Sequence, residues 1–550
     1  MSTDTGTQDL VRWPAEFERR YVEAGYWGRR TLGELLREWA RRSPEHTALV
    51  CGSRRISYRG LDERIDAMAT GLLAHGIRSG EAVVLQLPNV AEFVVLFFAL
   101  VRIGAVPVLT LPAHRRAEVA HVAGLSGAVA LVVAARHEGF DHRELAGQVL
   151  GEVPSLRSVL VHGDPGPYTA LTDIPVPADA GPADAGPTGA GPADAAGRPE
   201  DLALLLMSGG TTGRPKLIPR THRDYVYNLE TSAEVSGLTA ADVTLAVLPI
   251  GHNLPWACPG VLGTLAAGGT VVLAPAPSPD VAFALIERER VTFTAVVPPL
   301  ARLWVEQAGR GGNDLSSLRQ VMIGGARCDA ALAASVAAAL GVRVNQSLGM
   351  AEGLLTQTRP EDPDRVVETT QGRPISPADE VRVLDPDGHP VPDGEVGELW
   401  TRGPYTIRGY YRAPEYNRLA FDADGFYRSG DLVRSLPSGH LVVEGRAKEV
   451  INRGGENVSE TELEEELLAH PDVAEVAVFG VPHPELGEIV CAALVVASAA
   501  GRPPKLKELK AFLRQRGLAR FKHPDRLRIV EAMPLTGVGK VDKRALAATG

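Results

Sequence analysis

Leu202-Ala203-Leu204-Leu205-Leu206-Met207-Ser208-Gly209-Gly210-Thr211-Thr212-Gly213-Arg214-Pro215-Lys216-Leu217-Ile218 joins an apolar run to a turn of glycines, hydroxyls and cations. Read as a β-strand that ends in this turn, it sets bare backbone N–H groups and positive charge in one place, an arrangement that holds phosphate. It is not the P-loop of nucleotide triphosphatases. That pattern needs Gly-Lys-Ser/Thr running directly into a helix, and here Pro215 separates Arg214 from Lys216. Taken alone, the composition also fits a Ser/Gly/Thr-rich surface loop, so the surrounding chain decides.

Outward from this stretch, short apolar runs alternate with helical patterns. Residues 82–87, 106–111, 128–133 and 158–161 precede it, and residues 243–249, 270–274, 291–297, 317–324 and 342–347 follow. This alternation predicts an α/β fold with parallel strands. Thr31-Leu32-Gly33-Glu34 is a capping-box pattern ahead of Leu35, Leu36 and Trp39, which predicts a helix ending near Ser43-Pro44. Ser57 precedes a second helix with Leu61, Ile65, Met68, Leu72 and Leu73 on one face. Residues 259–267 also read as helical. Residues 91–103 form the longest apolar helix pattern, short of the roughly 20 residues that span a bilayer, and read as a buried core helix.

About residues 175–198 repeat Pro-Ala-Asp-Ala-Gly-Pro, a composition with almost nothing to bury, and are expected to form a disordered surface insertion within a domain. Around Glu398 the texture shifts to shorter, more polar strands and tight turns, predicting a small β-rich subdomain at the end of the large domain. Beyond Gly445-Arg446-Ala447-Lys448 the expected order is helix 460–470, strand 473–480, strand 489–496, helix 506–516 and strand 526–530. That mix suffices for an independent α+β domain. The expectation is therefore a large domain over residues 1–446 and a small mobile one over residues 447–550.

A chain of 550 residues can bury more than one core, and its net charge of −10 argues against nucleic acid as the main partner. The first ten residues are polar and acidic with no basic segment leading into an apolar run, so no secretory signal, no membrane span and a cytoplasmic location are expected. Cys51, Cys258, Cys328 and Cys491 are scattered singly, without metal-ligand spacing, and read as reduced thiols packed as small apolar groups. Lys505, Lys507, Lys510, Arg514, Arg516, Arg520 and Lys522 fit either a solvated face or a docking face for an acidic partner.

Further stretches carry chemistry. Gln346-Ser347-Leu348-Gly349-Met350-Ala351-Glu352 places a carboxylate in a glycine-punctuated turn, where it can hold Mg²⁺ on a nucleotide's phosphates. Tyr427-Arg428-Ser429-Gly430-Asp431 places a second where it can accept from two ribose hydroxyls. Gly445-Arg446, Arg453-Gly454-Gly455-Glu456 and Thr536-Gly537-Val538-Gly539-Lys540 follow. In this order and at these separations the set resembles the adenylate-forming superfamily, which includes acyl-CoA ligases and the adenylation domains of nonribosomal peptide synthesis. The resemblance runs over about residues 13–544.

It implies ATP and Mg²⁺ as cofactors and a role for each matching residue. Ser208, Gly209, Gly210, Thr211, Thr212, Gly213 and Lys216 would wrap the β- and γ-phosphates. Gly324, Gly325, Ala326 and Arg327 would border the adenine, Gly349, Met350 and Ala351 would join the ATP site, and Glu352 would bind Mg²⁺. Asp431 would hold the ribose, with Arg446 nearby; Lys448 would mark an interdomain hinge, and Lys540 would bridge the acid's carboxylate and the α-phosphate. A catalytically silent, ligand-binding relative would be expected to lose Lys540, Glu352 or Asp431, and all three are present.

Within that superfamily the chain is most similar to stand-alone aryl-acid ligases of siderophore and related biosynthesis. Gly251-His252-Asn253-Leu254-Pro255-Trp256-Ala257-Cys258-Pro259-Gly260 and Arg402-Gly403-Pro404-Tyr405-Thr406-Ile407-Arg408-Gly409-Tyr410-Tyr411 carry this closer likeness. It implies that Asn253 meets the ortho-hydroxyl of a benzoate and that His252 lies near the carboxylate, with Leu254, Gly325, Leu348 and Lys540 also around the acid. Outside this context, His252-Asn253 would read as a turn that starts a helix. Cys258 and Leu355 match members that take salicylate, where those that take 2,3-dihydroxybenzoate tend to have Ser and Val. Leu254 and Leu348 depart from the common aromatic residues, leaving room for a substituted salicylate or an ortho-amino analogue. No Leu-Gly-Gly-x-Ser signature of a carrier domain is found, so the thiol acceptor is expected on a separate aryl carrier protein, with coenzyme A as the alternative.

Long loops cost only logarithmically more entropy as they grow, so the Pro/Ala/Asp/Gly insertion contributes little to the fold. Deleting Pro177 to Ala196 is expected to leave turnover unchanged, and a large loss of turnover in the deletion variant refutes this.

Overall fold

Strands buried on both faces read as near-continuous apolar runs, as inner strands Val106–Leu109 and Ala130–Ala134 do, whereas the edge strand Arg54–Ser57 is exposed at both arginines. The computed structural model describes residues 10–174, 197–208, 215–446, 450–453, 456–483, 486–498, 500–516, 518, 522–536 and 539–548. By its contacts the chain divides into two units, Met1–Glu380 with Thr401–Tyr427, and Val381–Trp400 with Arg428–Gly550. The β-rich strands around Glu398 fall in the second unit by this measure.

Among the described residues, one sheet of the first unit orders Leu217–Thr221, Leu202–Met207, Val106–Leu109, Ala82–Gln86, Ala130–Ala134, Ser158–His162 and Thr169–Ala170. Its centre is parallel, and Ala82–Gln86 is buried throughout. Leu202–Met207 runs parallel to Val106–Leu109 on one side and antiparallel to Leu217–Thr221 on the other. Strand Leu217–Thr221, and not the helix of a P-loop, therefore follows Lys216. Ser208 N donates to Lys216 O at 2.9 Å and Lys216 N donates to Ser208 Oγ at 3.0 Å, which ties the two ends of the glycine-rich stretch.

The second sheet orders Arg373–Pro374, Leu355–Gln357, Arg343–Gly349, Gln320–Ile323, Phe293–Val296, Val243–Ala246, Thr270–Leu273, Thr47–Cys51 and Arg54–Ser57. Several strands stop earlier than the apolar runs predicted, as with Val106–Leu109, Val243–Ala246 and Gln320–Ile323. Apolar residues continue past the last ladder bond because the turns beyond these strands are buried too, so composition alone does not mark where pairing ends.

Local signals in the first unit act as read. Thr31 N donates to Glu34 Oε2 at 2.7 Å at the start of helix Leu32–Arg42, and Ser57 Oγ accepts from Gly60 N at 3.1 Å at the start of helix Tyr58–Ala74. Helix Ala91–Arg102 is largely apolar and buried, with only Glu92 half-buried. It ends in Arg102, whose guanidinium is neutralised by Asp62 Oδ1 at 2.6 Å and Asp66 Oδ1 at 2.7 Å. An unpaired cation there would be strongly destabilising. Cys258, Cys328 and Cys491 are buried thiols, whereas Cys51 is half-buried beside Arg54 at 3.7 Å; all four are free.

The second unit holds a sheet ordered Glu380–Leu384, Val396–Arg402, Tyr427–Ser435 and Leu441–Arg446. It also holds an α+β part, where Glu456–Ser459, Val450–Arg453, Gly487–Val496 and Val473–His483 pair in order and Arg526–Ile529 lies parallel to Gly487–Val496. Helices Glu460–Leu468 and Leu506–Gln515 bury Leu463, Leu467, Leu509 and Leu513 against it. Lys522 Nζ meets Glu462 at 2.6 Å and Arg516 pairs with Glu466, so part of the basic face is neutralised internally. Lys505, Lys507 and Arg514 are exposed, and Arg520 lies outside the described residues.

The whole is thus α/β, a large N-terminal region of parallel sheets followed by a smaller α+β region. Among the described residues no helix is long and apolar enough to cross a membrane. The insertion at residues 175–196 lies outside the described residues.

Candidate active site

The stretch after strand Val243–Ala246 turns sharply: His252 N donates to Pro249 O at 3.0 Å, and a Cβ on Gly251 would lie 2.6 Å from Thr110 O, so only glycine allows this approach. His252 then caps the short helix Asn253–Ala257, its Nδ1 accepting from Leu254 N at 3.2 Å. Asn253 is buried and its amide is held at both ends. Tyr225 Oη donates to Oδ1 at 2.7 Å, and Nδ2 donates to Cys258 Sγ at 3.3 Å. Asn228 Nδ2 donates to Ala257 O at 2.9 Å and fixes the end of the same helix. Burial pushes the Cys258 thiol up to about 11, so it stays a neutral S–H.

Leu254, Cys258 and Leu355, singled out from the sequence, lie in one buried cluster with Phe293, Ala295, Met322, Ile375 and Tyr405. Two of the predicted glycines approach it. A Cβ on Gly324 would sit 3.4 Å from Leu254 Cδ2, and one on Gly349, which pairs with Leu355, would sit 2.9 Å from Leu355 Cδ1. Gly325 takes φ +78°, with Ala326 exposed and Arg327 half-buried in the turn behind it. Leu348 is half-buried at the end of strand Arg343–Gly349.

Behind Leu355 stands a polar pair that sequence reasoning missed. Leu355 N donates to Tyr405 Oη at 3.2 Å, and Tyr405 Oη donates to Asp379 Oδ2 at 2.6 Å. Asp379 Oδ1 has no hydrogen-bond partner, and burial, opposed by the Tyr405 and Ser376 N bonds, pushes this carboxyl up to about 7.

Glu352 lies in the turn after Gly349, Met350 and Ala351 and is buried. Its Oε1 accepts from Tyr410 Oη at 2.7 Å, and Tyr410 Oη is 2.9 Å from Tyr427 Oη. Burial, and then the Glu352 charge, raise the Tyr410 hydroxyl well above the usual phenol range, so it remains a donor. Lys216 Nζ lies 3.8 Å above the Tyr416 ring and 5.8 Å from that of Tyr410. Arg220 donates to Ala351 O at 3.1 Å and to Asp224 Oδ1 at 2.8 Å, and its guanidinium lies 4.8 Å over the Tyr225 ring. One row of contacts therefore runs from Lys216 through Tyr410, Glu352, Ala351 and Arg220 to Tyr225 and Asn253.

Asp431, Arg446 and Lys540 belong to the second unit. Asp431 pairs with Arg446 across adjacent strands, its N–H donating to Ser429 Oγ at 3.0 Å. Lys540 is exposed after a tight turn in which Thr536 N donates to Lys540 O at 2.7 Å and Lys540 N to Thr536 Oγ1 at 3.2 Å. Gly209, Gly210, Thr211, Thr212, Gly213 and Lys448 lie outside the described residues.

Tyr225 and Asn228 also escaped the sequence reading, because helix His222–Val235 was not predicted. Its signal was present: Thr221 and Asp224 form a capping box, with Thr221 N donating to Asp224 Oδ2 at 2.6 Å. Tyr410 lay inside a quoted motif, but nothing in spacing shows that it reaches Glu352.

Known proteins agree with this architecture. The sequence profile of the AMP-binding enzyme family matches residues 36–411, and that of the AMP-binding enzyme C-terminal domain matches residues 462–540. The chain belongs to this adenylate-forming family, and within it to the aryl-acid–AMP ligases. It is 48% identical over 538 residues to a 2,3-dihydroxybenzoate-AMP ligase of Bacillus subtilis, covering 97% of this chain and 96% of the relative. It is also 48% identical over 550 residues to a salicyl-AMP ligase / salicyl-S-ArCP synthetase of Mycobacterium tuberculosis, covering 99% and 95%. Among solved structures, MbtA of Mycobacterium smegmatis in its apo form superposes with a TM-score of 0.76 at 46% identity over 99% of this chain and 100% of that one.

The Asp379 carboxyl gives a pH dependence of definite sign. Its folded value of about 7 lies above the ordinary 3.8, so the folded chain retains a proton that the unfolded chain has lost. The associated stability is full below about pH 4 and is lost as pH rises toward 7, an effect on the order of 4 kcal/mol. Asp379→Asn is therefore expected to gain on the native protein between pH 5 and pH 8 in thermal midpoint; a pH-independent difference between the two contradicts it.

Proposed function

We propose that this enzyme uses ATP to convert an ortho-hydroxy aryl acid, salicylate in preference to others, into aryl-AMP and pyrophosphate, and then passes the aroyl group to the phosphopantetheine thiol of a separate aryl carrier protein, forming a thioester as AMP leaves. The observation that carries the choice of acid is the buried wall of Asn253, Cys258 and Leu355. Asn253 supplies a polar contact for an ortho substituent. A 3-hydroxyl against Cys258 and Leu355 would lose water without gaining a good acceptor, a cost of about 1–3 kcal/mol, whereas salicylate presents C–H there. An acid lacking the ortho group strands the Asn253 amide, and a site of this kind rejects such analogues by up to about 10⁴-fold.

A carboxylate is a weak nucleophile and the triphosphate repels it, so the site must neutralise charge and align attack on the α-phosphorus. The carboxylate oxygen forms the new P–O bond as the bond to pyrophosphate breaks. Lys540 bridges the carboxylate and the α-phosphate; Ser208 to Lys216 hold the β- and γ-phosphates. Gly324 to Arg327 and Gly349 to Ala351 border the nucleotide, Asp431 takes the ribose hydroxyls with Arg446 beside it, and His252 shapes the approach of the carboxylate. Glu352 is one buried carboxylate held by Tyr410, and the described residues include no cluster of three or more His, Cys, Asp or Glu side chains fit for a metal. A single protein carboxylate fits Mg²⁺, which takes its other ligands from phosphate and water and neutralises the triphosphate when bound.

Thiol attack follows rotation of residues 447–550 about Lys448, which withdraws Lys540. The exposed Lys505, Lys507 and Arg514 offer cations to an acidic carrier. The salicyl-S-ArCP synthetase named among the relatives supports a carrier acceptor. ATP as co-substrate fits a cytoplasmic enzyme. The second reading is 2,3-dihydroxybenzoate, favoured by equal identity to the Bacillus subtilis ligase; a substituted salicylate or ortho-amino acid, or coenzyme A as acceptor, are its other variants.

Salicylate is expected to drive ATP–pyrophosphate exchange faster than 2,3-dihydroxybenzoate, and Cys258→Ser with Leu355→Val to shift preference toward the dihydroxy acid; the reverse order of the two acids overturns the assignment. Lys540→Ala is expected to lower adenylate formation by on the order of 10²–10³-fold while sparing thioester formation from supplied aryl-AMP. Equal loss of both steps counts against the role given to Lys540.

A further inference from the structure

An amide side chain carries an acceptor on one edge and two donors on the other, and the groups behind it decide which edge it shows to a ligand. Around Asn253 these groups are Tyr225 Oη, 2.7 Å from Oδ1, and, within the same wall, Cys258 Sγ, 3.3 Å from Nδ2. Tyr225 is fully buried, and burial raises its hydroxyl well above the ordinary range, so it stays a donor. Rotating the amide by half a turn would make the phenol accept from Nδ2, leave its own buried O–H without the carbonyl it donates to, and leave Oδ1 only a thiol, a much weaker donor. The phenol is itself held in place. Arg220 lies 4.8 Å over its ring and is anchored by Asp224 and by Ala351 O.

We propose that Tyr225 is a positioning residue that locks the Asn253 amide with its N–H edge toward the aryl acid. The site thereby selects an ortho substituent that accepts a hydrogen bond, a phenol oxygen, over one that only donates, an arylamine. This rests on the reading that Asn253 meets the ortho substituent. The lone pair of an arylamine is delocalised into the ring, so its N–H groups would face the Asn253 N–H edge donor to donor. Of the alternatives above, the lock removes the ortho-amino acid and keeps the ortho-hydroxy ones. It acts at one remove from the substrate, through the orientation of a side chain that Tyr225 holds and the substrate touches.

The test is pyrophosphate exchange with salicylate, 2-aminobenzoate and benzoate for the native enzyme, Tyr225→Phe and Asn253→Ala. The native enzyme is expected to favour salicylate over 2-aminobenzoate by at least about 100-fold in kcat/KM, as expected where a buried polar group would be left mispaired. Tyr225→Phe should cut that ratio by at least about tenfold through the KM values of the two acids, with KM for ATP unchanged; general loosening of the fold would not move two acids in opposite directions. If Tyr225→Phe keeps the native ratio while Asn253→Ala collapses it, the lock is wrong although Asn253 still meets the ortho group. If Asn253→Ala keeps the native salicylate-to-benzoate ratio, the underlying reading of Asn253 fails, and the lock with it. Should Tyr225→Phe not fold, equal use of salicylate and 2-aminobenzoate by the native enzyme still overturns the proposal.

Discussion

A strand covered on both faces can present chemistry only at its ends. In the first unit this constraint places each described site segment directly after a parallel-sheet strand: Ser208 after Leu202–Met207, the Gly251 turn after Val243–Ala246, Gly324 after Gln320–Ile323, and Glu352 after Arg343–Gly349. All of these strands run into their loops at carboxyl ends, the edge at which open α/β sheets bind ligands. The apolar strands hold the loops' starting points fixed. The loops are then free to carry glycines, whose missing Cβ lets Gly251 approach the Thr110 carbonyl and Gly349 approach Leu355.

Holding polar groups in such a setting requires that each find a partner, since an unpaired buried donor or acceptor costs about 1–3 kcal/mol. The row from Lys216 to Asn253 meets most of that requirement pair by pair, with Arg220 Nη2 left over. Glu352 takes the Tyr410 hydroxyl, Ala351 O takes Arg220, and Asn253 Oδ1 takes Tyr225. A side chain fixed in this way keeps its orientation without rearranging when a ligand arrives, which is the preorganisation that electrostatic catalysis depends on. Asp379 is a carboxylate that falls short of it, one oxygen satisfied by Tyr405 and the other without a partner. It resolves the conflict by holding a proton, which is why its carboxyl rises when those of surface aspartates such as Asp314 fall.

What could be read from the sequence follows the same division. Most inner parallel strands, the buried helix Ala91–Arg102 and the Thr31 capping box were legible because each rests on short-range pattern, while Thr47–Cys51, Leu217–Thr221 and the edge strand Arg54–Ser57 went unread. So were the loops proposed to carry the chemistry, since glycines and charges punctuate apolar runs at their ends. The partners were not. Tyr225 is 28 positions from Asn253, Tyr410 is 58 from Glu352, and Tyr405 is 50 from Leu355. No local period encodes such pairs; they exist only once the sheets have brought the loops together. Helix His222–Val235 went unread for a different reason: its capping box was present, but its buried face mixes Tyr225, Asn228 and Ser232 with its apolar residues and weakens the helical period.

The separation between reaction class and substrate choice has a physical basis in these two kinds of residue. On the proposed reading, phosphate and metal contacts need charge and bare backbone, which is what Lys216 and Glu352, in loops that follow strands, would supply. Discrimination between two aryl acids differing by one atom needs the opposite setting, a dry wall in which a mispaired group cannot recover its loss from water. Asn253, Cys258 and Leu355 are each at most 7% exposed, and the thiol there is a neutral, weak partner. If the proposed roles hold, a change at the loops alters whether any acid is activated, and a change behind the wall alters which one, because it redirects a hydrogen bond for which no solvent can substitute.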